Sequence, residues 1–167
     1  EALWQPGDVR EVRIPRHNQW GHTASGYFDS PEALAEAALK YDGTANIYLT
    51  LNPTDPALLA RSVNRIKAKA EHTTSDADIL CRRYLFIDID SVHPSGISTT
   101  EEELAAAKSL LQALTRHLSH LGWPLPVICL SGNGYYAIYA LELPNTGEAT
   151  ELVARLLKTL AAEHDTE

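Results

Sequence analysis

Two short stretches of this sequence carry residue types and spacings that can do chemistry. The first is Tyr84-Leu85-Phe86-Ile87-Asp88-Ile89-Asp90, an apolar run that closes on two carboxylates one residue apart. A run of β-branched and aromatic residues of this kind predicts a buried strand. Side chains alternate faces along a strand, so Asp88 and Asp90 point the same way, their Cα atoms roughly 6.5–7 Å apart. Two hard oxygen ligands side by side suit Mg²⁺ or Mn²⁺, which such sites often hold together with substrate phosphates. Turn chemistry ahead of Ser91-Val92-His93-Pro94 is the plainer account of the same residues. Burial weighs against it, because an unpaired carboxylate pair in an apolar strand is expensive and a cation relieves the cost. The second stretch is Ser131-Gly132-Asn133-Gly134-Tyr135-Tyr136. Its glycines permit positive φ and leave backbone N–H groups uncovered, so that these amides and the Ser131 hydroxyl can bind phosphate oxygens. An ordinary hairpin turn would use the same residues.

The elements that must position these stretches follow from periodicity and caps. Val9–Ile14 reads as a first strand, and 15–29 as a polar, aromatic loop. Ser30-Pro31-Glu32 starts a helix with Leu34, Ala35, Ala38 and Leu39 inward, ended by Gly43. Asn46–Leu51 reads as a strand. Asp55-Pro56 opens a helix that buries Leu58, Leu59, Val63 and Ile66, and His72–Asp78 as a polar loop. After the carboxylate strand, Thr100-Glu101-Glu102-Glu103 is a capping box. Leu104, Ala107, Leu111, Leu114, Leu118 and Leu121 then recur at helical spacing until Gly122. His117 and His120 fall near that helix's C-terminus, where they read as helix-end polar groups rather than metal ligands. Pro126–Leu130 and Tyr135–Leu143 read as strands flanking the second motif. Gly147–Glu163 reads as a last helix with Leu152, Val153, Leu156, Leu157 and Leu160 inward. The order is βαβα, then βαββα, with a seam expected in the loop Glu71–Asp78.

Composition bounds the function classes. The chain has 167 residues, 44% of them hydrophobic, enough for a sizeable core. No apolar stretch reaches the roughly 18 residues of a membrane span. The first residues do not resemble a signal peptide, and a start other than Met implies a segment of a longer protein. Cys81 and Cys129 have no metal-binding spacing and read as free thiols, the state expected of a cytoplasmic protein. The net charge of −8 argues against a broad nucleic-acid-binding surface. Its distribution is uneven. Residues 1–83 hold ten Lys/Arg and eleven Asp/Glu, a net of −1; residues 84–167 hold four and eleven, a net of −7. Arg61, Arg65, Lys67, Lys69, Arg82 and Arg83 form the basic strip that could touch a polyanion, although a solvated helix face would carry the same charges.

A carboxylate-pair strand, a helix of about twenty residues and then a strand–SGNG–strand hairpin resembles the archaeo-eukaryotic primase superfamily, the primase–polymerases, and in particular the domains found in prophages, plasmids and replication proteins. Gly26-Tyr27-Phe28-Asp29, Thr50-Leu51-Asn52-Pro53, Thr73–Asp78 and Ile97-Ser98-Thr99-Thr100 look similar too, so the likeness spans roughly residues 9–160. The resemblance implies an α/β, two-lobed fold: an N-terminal αβ module over 1–80, and over 81–167 an RRM-like βαββα(β) module without its last strand. It implies that Asp88 and Asp90 are catalytic and hold Mg²⁺ or Mn²⁺. Ser131, Gly132, Asn133 and Tyr136 would bind the nucleotide, and the six basic residues would contact nucleic acid. The reaction implied is nucleotidyl transfer from a nucleoside triphosphate on a DNA template, with a helicase domain or another replication protein as a further partner, and no membrane. Tyr136 stands where the family usually has His, and a neutral phenol offers no imidazolium charge. The family's third-motif Asp has no counterpart before Glu167, and the chain is expected to stop ahead of that strand.

Two other functions fit parts of this pattern. Ile87-Asp88-Ile89-Asp90-Ser91-Val92 matches the nucleophile motif of haloacid-dehalogenase-like phosphatases, but no Asp-Asp pair follows, and Lys108 and Lys158 lie in long helices. The Tyr136 departure and the absent third motif fit a catalytically inactive, primase-like module that binds nucleotides or DNA in a replication or defence protein.

Overall fold

The computed structural model describes residues 3–90 and 99–164; Ser91–Pro94, Ile97-Ser98 and the chain end after His164 lie outside them. The chain is mixed α/β and divides into two compact units, 1–82 and 83–167.

In the first unit β1 (Arg10–Ile14) is the middle strand of a three-stranded antiparallel sheet, between β2 (Ala24–Phe28) and β3 (Tyr48–Leu49). Val12 pairs with Gly26 on one side and Leu49 on the other. Val12, Ile14, Ala24 and Phe28 form a buried cluster against Leu34 and Ala37 of α1 (Pro31–Leu39), whose cap Ser30 accepts a hydrogen bond from the Ala33 amide. β2 falls inside the stretch expected to be a loop. Its sequence, Ala-Ser-Gly-Tyr-Phe, has neither β-branched residues nor alternation, so no local signal marks it. Its glycine has a packing reason. A Cβ at Gly26 would stand 2.1 Å from the Arg65 carbonyl oxygen.

That close approach also explains why the helix expected from Asp55 stops short. Only a 3-10 turn forms (Pro56–Arg61), with Leu58 buried. Ser62 is then extended, and Asn64 takes a positive φ of 47°. Residues 62–67 instead lie along β2: the Tyr27 amide donates to Ser62, the Asn64 amide to Tyr27, and Ser25 and Lys67 exchange amide and carbonyl. The open edge of β2 outcompetes helix hydrogen bonds in a segment rich in poor helix formers. Val63, expected inward, is exposed. The strand expected over 46–51 shrinks to two residues.

In the second unit β4 (Cys81–Asp90, beginning at the end of the first), β5 (Val127–Leu130) and β6 (Gly134–Pro144) form a sheet of order β4-β6-β5. α2 (Glu101–His120) is closed by the capping box of Thr100 and Glu103, and α3 (Gly147–His164) follows β6 directly. Leu85, Ile87, Ile89, Ala137 and Tyr139 face Leu111, Leu114, Leu118 and Leu160 in one core. Leu121 and Leu152 do not join it and are exposed. β4 is therefore half-buried, not buried throughout: Leu85, Ile87 and Ile89 point in, and Phe86, Asp88 and Asp90 point out. A sheet covered by helices on one face needs apolar residues only at every second position. Among the described residues, β4 is an edge strand and β6 the middle one. Cys81 and Cys129 are free, and no described helix is long and apolar enough to cross a membrane.

Tyr139 is completely buried, and its ring meets Trp123 edge-on at 5.5 Å. Its hydroxyl has no hydrogen-bond partner among the described residues, and burial raises its pKa. A buried hydroxyl without a partner carries its full desolvation cost. Tyr139→Phe is expected to stabilise the chain by about 1 kcal/mol, a rise in Tm of about 2–4 °C. A lower Tm for the variant would mean that the hydroxyl is satisfied after all.

Candidate active site

The outward face of β4 carries Asp88 and Asp90 at its C-terminal end. The hairpin between β5 and β6 brings the second motif beside them. A Cβ on Gly134 would lie 2.2 Å from the Ile89 carbonyl oxygen and 3.0 Å from the Asp90 Cα, so the two backbones touch where only glycine fits. The turn itself is tightly bonded. The Ser131 amide donates to the Gly134 carbonyl (3.0 Å), and the Gly134 amide donates to Ser131 Oγ (2.9 Å). Gly132 has φ +96°, in the left-handed region that favours glycine. Ser131 Oγ thus serves as a turn acceptor, which leaves its O–H proton as the group to offer a ligand. Thr99 Oγ1 donates to the Asn133 carbonyl (3.2 Å) and ties the approach to α2 onto the same turn.

Tyr136 pairs with Cys129 across the hairpin, and its ring centroid lies 4.7 Å from that of Phe86. It shares the face of Phe86, Asp88 and Asp90 by the period of two along both strands. Asp88, Asp90, Ser131, Gly132, Asn133 and Tyr136 therefore gather at one end of one sheet. A groove of about 360 Å³ runs along β4, lined by Asp88, Asp90, Leu110, Leu157, Leu160 and His164 among others. Sequence patterning missed two contributors, Thr99 and Phe86. The first is a loop residue whose partner is a distant carbonyl. The second was read as part of a buried run, and only the alternation of burial puts it on the open face.

Partial burial of the Asp88 carboxyl, and then the charge of Asp90, push its pKa above the usual carboxylate value; the Ile89 amide opposes both. A divalent cation fits a donor pair of this kind, because it removes the repulsion that raises the pKa. In the metal-free chain the sign follows directly. A folded-state pKa above the unfolded value means that ionised Asp88 opposes folding, by nothing below the ordinary carboxylate range and in full above the raised pKa. Asp88→Asn should raise Tm at pH 7 by at most about 2 °C, since exposed charges are worth under ~1 kcal/mol. Near pH 3 parent and variant should melt together. A gain that persists at about pH 3 would have to come from something other than the charge.

Three of the six basic residues come together within the first unit. Arg61, Lys67 and Lys69 line a pocket of about 350 Å³ in the first unit, with Ser25, Tyr27 and His72. Arg61 donates to the Tyr27 hydroxyl (3.2 Å). Arg65 is exposed and does not line this pocket; its carbonyl packs against Gly26 of β2. Arg82 and Arg83 sit half-buried within β4. The solvated helix face expected as the alternative does not form, since the 3-10 turn ends at Arg61. No protein-family model, curated protein or solved structure matches this chain.

Proposed function

We propose that this chain is a nucleotidyltransferase domain of the primase–polymerase type, metal-dependent and acting on nucleoside triphosphates during DNA replication. The observation that carries the reading is the contact of Gly134 with Ile89 and Asp90, which puts a same-face carboxylate pair against a glycine turn. Asp88 and Asp90 would hold Mg²⁺ or Mn²⁺, which when bound neutralises phosphate charge and the developing charge on attacking and leaving oxygens. The Ser131 hydroxyl would donate to a phosphate oxygen from a turn already fixed by its own hydrogen bonds, so little ordering remains to be done on binding. Tyr136, held against Phe86, would supply a neutral donor or an aromatic face beside the nucleotide. In the other unit, the pocket of Arg61, Lys67 and Lys69 offers cations to template phosphates. A helicase domain or another replication protein would be the partner in the longer assembly.

A binding-only module is the second reading, favoured by the neutral ring of Tyr136 packed on Phe86. Two measurements decide. The chain should bind a deoxynucleoside triphosphate in Mn²⁺ at least tenfold more tightly than Asp88→Ala/Asp90→Ala does, a difference of about 1.4 kcal/mol. Equal affinities would remove the carboxylates from the site and the proposal with them. Incorporation of labelled nucleotide on a primed template then separates a transferase from a module that only binds.

A further inference from the structure

Besides the carboxylate pair, a second group of metal-ligating side chains lies at the ends of the two long helices, and its His164 lines the same groove as Asp88 and Asp90. His117 lies in the last turn of α2, and Glu163 and His164 end α3. His117 Nε2 is 3.6 Å from Glu163 Oε2, and the rings of His117 and His164 meet edge-on with centroids 5.1 Å apart. One ligand atom from each of the three residues lies within 4.8 Å of the other two. An ion pair between His117 and Glu163 accounts for only part of this arrangement, because both side chains are more than a third exposed and such pairs are worth little. It leaves His164 unexplained. His164 Nε2 is buried and has no hydrogen-bond partner among the described residues, a costly state for an imidazole nitrogen.

A metal ion satisfies all three groups at once. Zinc binds His nitrogen and carboxylate oxygen at roughly 2.0–2.2 Å, which puts tetrahedral ligand atoms about 3.3–3.5 Å apart. The His117–Glu163 separation is already close to that value. The remaining separations, all within 4.8 Å, need to close by at most about 1.5 Å, within the reach of side-chain rotation at two helix ends. Two imidazoles and one carboxylate select a borderline transition metal over Mg²⁺, which prefers an all-oxygen shell. We propose that His117, Glu163 and His164 form a zinc-class site that clips α2 to α3, with a fourth position open to water. It would be chemically distinct from the oxygen-only pair Asp88 and Asp90, so the second unit would sort two kinds of metal between two sites.

The test is a Co²⁺ titration of the full 167-residue chain, carrying no affinity tag and stripped with a chelator, followed by Zn²⁺ displacement. The expected result is one tightly bound Co²⁺ per chain with the strong visible bands of four- or five-coordination, bleached by Zn²⁺, any Co²⁺ on the oxygen-only pair adding no strong band. Affinity should fall at least tenfold in His164→Ala and in Glu163→Gln, and stay unchanged in Asp88→Asn/Asp90→Asn. Glu163 is exposed, so Glu163→Gln keeps the test decisive should His164→Ala fail to fold. A His17→Ala/His22→Ala variant controls for the histidine pair that brackets Asn18. Absence of visible bands, or equal affinity in the parent and in Glu163→Gln, would overturn the proposal. So would loss of binding in the His17→Ala/His22→Ala variant alone.

Discussion

A chain carrying Gly134→Ala is expected to melt about 6–12 °C below the parent, whereas Gly147→Ala should melt at or slightly above it. The two substitutions add the same methyl group to the same unit. At Gly147 nothing lies within 4 Å of the new carbon. The position opens α3, where alanine is the better helix former by up to ~1 kcal/mol. At Gly134 the new carbon would meet the Ile89 carbonyl at 2.2 Å. The obstructing atoms are backbone, so no side chain can swing aside, and relief requires that β6 move away from β4. Overpacking against a fixed wall costs about 3 kcal/mol, which at this chain length corresponds to the stated shift. The same displacement would pull the Ser131–Gly134 turn away from Asp88 and Asp90, so triphosphate binding should fall together with Tm. Equal melting of the two variants would mean that the strands can separate freely and that the contact positions nothing.

Glu11→Ala should cost a similar amount, about 3 kcal/mol, through a different mechanism. Glu11 sits on β1 with its side chain fully buried. Arg13 donates to it at 2.7 Å, the Thr74 amide at 3.0 Å, and the Ser25 hydroxyl also donates. Burial alone would raise the Glu11 pKa, but the hydrogen bonds from Arg13, Ser25 and Thr74 more than reverse this and hold it below the ordinary value. Removing the carboxylate leaves the buried Ser25 hydroxyl and the part-buried Thr74 amide without this acceptor, which costs more than the net worth of the bonds themselves. The pH dependence is fixed in sign. A depressed folded-state pKa contributes stability that is present above the unfolded value and is lost as pH falls through the folded one. The gap in Tm between parent and Glu11→Ala should therefore narrow as pH drops below about 4.5. A gap independent of pH would assign the loss to packing.

The second unit was legible in the sequence because its signals are local. The capping box at Thr100, the leucine spacing of α2, the glycines of the hairpin and the carboxylate pair each declare themselves within a few residues. What sequence missed there was one-sidedness. An apolar run looks the same whether helices cover one face of its sheet or both, so Asp88 and Asp90 were expected in a buried strand and lie on an open face. The first unit was harder to read, since its elements are decided at long range. Ala24–Phe28 becomes a strand because Arg10–Ile14 and residues 62–67 offer hydrogen bonds on either side, and neither partner is visible from within the segment. The same competition cut short the helix from Pro56. His117 was read as a helix-end group, which it is; its meeting with Glu163 and His164 depends on how α3 packs, and no spacing in the sequence encodes that.

The bond from the Thr74 amide to Glu11 joins residues 63 positions apart, and this separation constrains the order in which the molecule can be made. β1 leaves the ribosome more than sixty residues ahead of Thr74, yet it carries a carboxylate that cannot be buried favourably until residue 74 has also emerged. Loop closure over such a span is paid before any contact rewards it. The N-terminal unit is thus expected to stay unfolded through most of its own synthesis and then to fold in one step. Nascent chains arrested before Thr74 should be readily digested by protease, and chains long enough to expose residues 74–82 should be resistant.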